Sequence, residues 1–307
     1  MATGNDLTTI ATGLRFPEGP IAMPDGSVVL VEIERGTLSR VTADGAVEVV
    51  ADCGGGPNGA AIGPDGKAYI TNNGGCFEFI DLGGILLPGP VPDSWRGGSI
   101  QRVDLATGEV ETIYTECEGR PLRAPNDLVF DAHGGFWFTD HGVRLERTSD
   151  RTGVFYAAAD GSSIREVIFP LDAPNGVGLS PAGDRVYVAE THTGRVWAWD
   201  VTGPGQVSST QGLNAGGTLL CGLPGAALFD SLAVDGEGHV CVGTLGEGGI
   251  TAVAPDGSGY EKVELPDMLV TNICFGGADL QTAYVTMSGT GQLASFTWPR
   301  PGLALAH

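Results

Sequence analysis

Basic residues are scarce in this 307-residue chain: 16 Lys and Arg stand against 37 Asp and Glu, for a formal charge of -21. That surplus repels phosphate backbones and anionic lipid, so it argues against nucleic acid and membrane surfaces as partners. No apolar run approaches the roughly 18 residues of a membrane span. The start, "MATGNDLTTIATG", has neither a basic stretch nor a long apolar one, so no secretory signal is expected. The six cysteines, Cys53, Cys76, Cys117, Cys221, Cys241 and Cys274, lack C-x-x-C spacing. Several sit inside apolar runs such as "HVCVG" and "NICFG", the pattern of free thiols in a reducing compartment. A soluble, cytoplasmic protein is expected, a monomer or a small homo-oligomer. Helical periods are missing as well, because 50 Gly, 19 Pro and many β-branched residues interrupt them. Neither a G-x-S-x-G elbow, nor an H-E-x-x-H helix, nor a G-x-x-x-x-G-K loop is present.

What is present is a repeat. Six units align on a short apolar strand, a turn rich in Asp, Gly and Pro, and a second β-rich strand. They begin "PEGPIAMPDGSVVLVE" at Pro17, "PNGAAIGPDGKAYITN" at Pro57, "PNDLVFDAHGGFWFTD" at Pro125, "PNGVGLSPAGDRVYVAE" at Pro174, "FDSLAVDGEGHVCVGT" at Phe229 and "TNICFGGADLQTAYVT" at Thr271. Asp-Gly and similar pairs supply the backbone angles of tight hairpins. A third strand follows most units ("GTLSRVT", "GRVWAWD") and often a fourth ("VEVVAD", "VETIYT"). Six repeats of four antiparallel strands predict an all-β protein, a six-bladed β-propeller forming one domain over residues 1–307. The longest step between units holds "FEFIDLGGILLPGPVPDSWRGG", residues 77–98. It reads as a loop insertion in blade two, too rich in Gly and Pro for a strand, and loops of that length are often lids. The last unit lacks an outer strand, which residues 1–13 are expected to supply, closing the ring.

The second residue of each unit is Glu18, Asn58, Asn126, Asn175, Asp230 and Asn272. Six oxygen-bearing side chains at equivalent strand entrances have two competing explanations. Asn and Asp there commonly bond their own backbone. That accounts poorly for Glu18, since two carboxylates brought together near a narrow axis need a compensating positive charge. A hard divalent cation supplies one, and oxygen ligands suit Ca2+ first, with Mn2+, Mg2+ or mixed-ligand Zn2+ as alternatives.

The motifs "FPEGP", "APND", "APNG" and "FDSLAVD", spread over nearly the whole chain from Arg15, resemble the gluconolactonase, regucalcin and diisopropyl fluorophosphatase family of six-bladed propellers. The resemblance implies one catalytic metal held by Glu18, Asn175 and Asp230, with Asn126 on the metal or on the substrate, and Asp127 as a neighbouring acid behind the ligands. It also implies a hydrolase that opens a lactone to a hydroxy acid, with the metal polarising the carbonyl and Asp230 as general base. Asn58, Arg123 and His141 are further candidates for touching substrate, and Asn272 for supporting the ring from behind. Family members that act on sugar lactones often place an Arg two residues before the third-motif Asn, whereas here Ala124 stands there and Arg123 one step away. That departure points toward a lactone less polar than an aldonolactone. The alternatives are an organophosphate or phosphotriester hydrolase on the same site, and a non-enzymatic calcium-binding propeller.

Overall fold

The computed structural model of the chain describes residues 6–307. Alternating and continuous apolar runs separated by Gly-rich turns form six sheets of four or five antiparallel strands, and these are the blades. The first strands are Pro17–Ala22, Pro57–Ile62, Pro125–Phe130, Pro174–Leu179, Leu228–Val234 and Val270–Gly276. Each touches the first strand of the blade before and after it, and Val270–Gly276 returns to Pro17–Ala22. These six strands therefore surround the axis. The architecture is an all-β six-bladed propeller.

The core is divided to match. Six apolar clusters lie between neighbouring blades rather than inside one globule. Between blades three and four, for example, Trp137, Ile168 and Leu171 meet Val177, Val188 and Trp199. A four-stranded sheet is apolar on both faces only if another sheet covers each, so the blades stabilise one another around the circle. Strand Thr8–Thr12 pairs antiparallel with Gln292–Thr297, the third strand of blade six. Its Ala11 joins Leu14, Val28, Leu30, Val41 and Leu293 in the cluster between blades six and one. Residues 1–5 of the segment expected to close the ring lie outside the described residues.

The insertion differs from the expectation of a strandless loop. It carries a small ribbon in which Phe79–Asp81 pairs with Leu86–Pro88. Three-residue strands are too short to show a period in the sequence, and what orders them is tertiary contact. Phe79 packs on Phe16 with ring centroids 5.1 Å apart, and Leu86 is buried with Phe16, Ile33 and Leu269. The Leu86 amide also donates to the Gly289 carbonyl, 2.8 Å away. At its other end Phe77, Val91 and Trp95 pack on Cys76, Ala124 and Val143. Starting in blade two, the segment thus reaches blades one, five and six on one side and blade three on the other. Every residue it touches there flanks a strand end at the same rim as the Pro-Asn entrances. Among the described residues no helix is long and apolar enough to cross a membrane, and all six cysteines are free.

Candidate active site at the axial rim

All six first strands break register near their polar residue, between Glu18 and Ile21, Pro57 and Ala60, Pro125 and Leu128, Pro174 and Val177, Phe229 and Leu232, and Val270 and Asn272. A bulge bends the strand and re-aims a side chain, so the same local device recurs at all six entrances around the axis. Close backbone approach keeps them level. A Cβ on Gly19 would sit 2.6 Å from the Ala60 nitrogen, and one on Gly176 would sit 2.6 Å from the Leu232 nitrogen and 2.8 Å from the Asp230 carbonyl. Glycine after the polar residue is therefore a packing requirement at Gly19 and Gly176. Second-strand hydroxyls connect the blades, as when Thr139 Oγ1 donates to the Asn175 carbonyl at 2.5 Å.

Glu18, Asn58, Asn126, Asn175 and Asn272 are buried, while Asp230 is half-buried. Glu18 Oε2 accepts from the Gly19 amide at 2.6 Å and from Asn272 Nδ2 at 2.7 Å. Asn272 thus anchors Glu18 from the neighbouring blade. Asn175 Nδ2 donates to Thr191 Oγ1 at 3.0 Å and its Oδ1 accepts from Ser231 Oγ at 3.3 Å. Asp127 is buried too, accepting from the amides of Leu128 at 2.9 Å and Val177 at 3.2 Å. Two atoms are left without partners: Glu18 Oε1 and Asn126 Oδ1 are buried acceptors with no hydrogen bond.

Three acids share this centre, and each is held above its ordinary range. Burial pushes Glu18 up to about 7 against the pull of its hydrogen bonds to Asn272 and Gly19. Burial and then the charge of Glu18 push Asp127 up to about 8. For Asp230, burial again comes first and Glu18 second, and the pKa lies well above the usual carboxylate value. Crowded carboxylates with no cation beside them retain protons; a bound cation would release them. Among the described residues no group of three or more His, Cys, Asp and Glu converges as a metal set. A ligand set in this ring would combine the entrance carboxylates of Glu18 and Asp230 with other oxygens, the entrance amides among them. The two orphaned acceptors fit that requirement, because a hard cation takes oxygens that protein donors leave unsatisfied.

Outside this centre lies a cavity of about 290 Å³ between the insertion and blades three and four, lined by Phe77, Val91, His141, Val143, Arg144 and His192 among others. His141 follows strand Gly135–Asp140, and its amide donates to the Ala124 carbonyl at 2.9 Å, two residues from Asn126. His192 occupies the equivalent place after Arg185–Glu190, and the two rings meet edge to face at 5.4 Å. Burial holds His141 down to about 4, with His192 and Arg144 adding to the effect. Burial first, and then Arg144, lowers His192 as well, although its Nδ1 lies 3.3 Å from Asp172 Oδ1. Both imidazoles are neutral at pH 7. Arg123 is not in this cavity: its Nε donates to Asp150 Oδ2 at 2.8 Å and its guanidinium lies 4.5 Å from the Trp95 ring centre. Sequence reasoning passed over Arg144 and Asp140. Asp140 holds the amides of Arg123 and Ala124 at 2.7 Å each, fixing the approach to Asn126.

Residues 16–289 match the SMP-30/Gluconolactonase/LRE-like region. The chain belongs to this family. Within it, the chain is 25% identical to a gluconolactonase of Zymomonas mobilis over 315 residues, which covers 92% of this chain and 79% of that one. A gluconolactonase structure from Xanthomonas campestris superposes with a TM-score of 0.75 at 22% identity, covering 95% and 89% of the two chains. The calcium-binding protein regucalcin of Agrobacterium tumefaciens gives 0.71 at 18% identity, covering 99% and 100%. The family region begins two residues before Glu18 and takes in all six first strands.

Proposed function

We propose that the protein is a metal-dependent lactonase that opens a cyclic ester to a hydroxy acid. The observation that carries the reading is the pair of unpartnered buried oxygens, Glu18 Oε1 and Asn126 Oδ1, in the ring where three acids crowd together. Membership of the gluconolactonase family supports lactone hydrolysis as the chemistry. Glu18, Asn126, Asn175 and Asp230 would hold one divalent ion, with Ca2+ the first candidate; the regucalcin likeness agrees. When bound, such an ion supplies the positive charge that polarises an ester carbonyl and steadies the developing oxyanion.

The remaining tasks belong to the chain. Glu18, fastened by Asn272 and Gly19, anchors. Asp230, the most accessible of the three acids, takes a proton from the attacking water and returns one to the ring oxygen as the acyl C–O bond breaks. Asp127 holds the backbone of blades three and four through Leu128 and Val177 and keeps the Asn126 entrance in place. The substrate is then a small-molecule lactone.

Chelation should abolish lactone opening and added Ca2+ should restore it. Asp230→Asn should bind Ca2+ more weakly by calorimetry and lower kcat by about 100-fold or more. Full turnover by thoroughly metal-free protein would overturn the proposal.

A further inference from the structure

Of the 16 Lys and Arg side chains, ten form ion pairs with Asp or Glu, as expected in a chain with so many acids. The neighbouring Arg123 is one of them, occupied by Asp150 and covered by Trp95. Arg144 forms no ion pair among the described residues, yet it lines the cavity beside the site. Around it the wall is apolar, with Phe77 and Val91 from the insertion and Val143 from blade three. The other polar members are His141 and His192. Their Nδ1 atoms are engaged, His141 with the Gly142 carbonyl at 3.0 Å and His192 with Asp172 at 3.3 Å, an arrangement that makes each Nδ1–H the donor and leaves Nε2 as an acceptor. Two neutral imidazoles can accept hydrogen bonds from a guanidinium through Nε2 but cannot balance its charge. Arg144 is the cavity's one charged lining residue, exposed at its edge and available to a ligand.

We propose that Arg144 is a specificity-determining residue that recognises a carboxylate on the substrate, so that the preferred lactone is small, largely apolar and carries one carboxylate substituent. This rests on the lactonase reading above. A cavity of about 290 Å³ admits a five- or six-membered ring with a short substituent. A charge-assisted bond from Arg144 to a substrate carboxylate beside these apolar walls discriminates against a neutral analogue. Ala124, buried against Cys76 and Val143, leaves the wall free of a second cation.

The test uses two γ-lactones differing in one group, 5-oxotetrahydrofuran-2-carboxylate and its 5-hydroxymethyl counterpart, with the calcium-loaded protein. The wild type should favour the carboxylate in kcat/KM, and Arg144→Gln should raise KM for the carboxylate about tenfold or more while leaving the hydroxymethyl lactone within about twofold. Arg144→Lys should recover part of the loss. Equal losses on both lactones, or no change on either, would overturn the inference while the lactonase reading stands. Should the wild type open no lactone, that reading fails, and calorimetric titration with 5-oxotetrahydrofuran-2-carboxylate decides the pocket separately. Binding that is lost in Arg144→Gln supports the inference, and absence of binding to the wild type overturns it.

Discussion

At the scale of single residues, the ring is defined by a conflict between burial and charge. Glu18 folds with its carboxyl at about 7, whereas in the unfolded chain it titrates near 4.5. Asp127 does the same from 3.8 to about 8. A carboxyl raised by folding binds more protons folded than unfolded, so its stabilisation is complete below the unfolded value and is lost as pH rises through the folded one. For Glu18 alone the difference amounts to about 3 kcal/mol. Metal-free protein should therefore melt at least roughly 5 °C lower at pH 8.5 than at pH 5.5, and saturating Ca2+ should remove most of that slope. Self-repulsion of a chain at -21 would slope the same way, so Glu18→Gln is the deciding control. It should make the curve of the metal-free protein shallower, leaving the shares of Asp127 and of self-repulsion, and should also diminish any rise that Ca2+ gives the wild type. A wild-type curve that climbs from pH 5.5 to 8.5 without metal would contradict this account. The six polar strand entrances were legible in the sequence because the repeat aligns them, and the four proposed as metal ligands, Glu18, Asn126, Asn175 and Asp230, were singled out by the family resemblance. Asp127 behind them came from the resemblance alone, since Gly19, Gly59, Gly176, Ser231 and Ile273 stand at its equivalent positions and nothing in the repeat signals an acid.

At the scale of elements, the insertion at residues 77–98 decides what surrounds the ring. The sequence shows it as a Gly- and Pro-rich break in the repeat but does not show its ribbon, because contacts with Phe16, Ile33 and Leu269, far away in the chain, order it. Trp95 fastens its far end: the indole Nε1 donates to the Asn73 carbonyl at 2.8 Å, and Arg123 lies over the ring. Trp95→Ala should loosen this end without opening a blade. Tryptic cleavage at Arg96 should quicken and KM should rise several-fold, while the melting temperature stays within about 3 °C. Unchanged cleavage and KM would mean that Trp95 does not hold the segment. The histidine pair was half legible, since His141 and His192 follow equivalent strands. Arg144 was not, because a cation in a surface loop shows its lack of a partner only when the fold has placed its neighbours.

At the scale of the whole molecule, the six-fold repeat made the blades readable, and the six inter-blade clusters explain why it did. Every blade must be apolar on both faces, and that demand writes the same pattern six times. Closure is less visible, since it depends on a strand that lies nearly 290 residues from its partner. Thr8–Thr12 covers the edge of Gln292–Thr297, and Ala11 fills the cluster between blades six and one. Removing residues 1–12 would expose that edge and open the cluster on which blade one rests. With each blade supported by two neighbours, a gap at one seam weakens the circle everywhere. The truncated protein should melt about 10 °C lower or more, or fail to fold. Where it does fold, Ca2+ binding should weaken too, because Asn272 on blade six holds Glu18 on blade one across that seam at 2.7 Å. Unchanged melting and unchanged Ca2+ affinity would show that the ring is closed by the clusters alone.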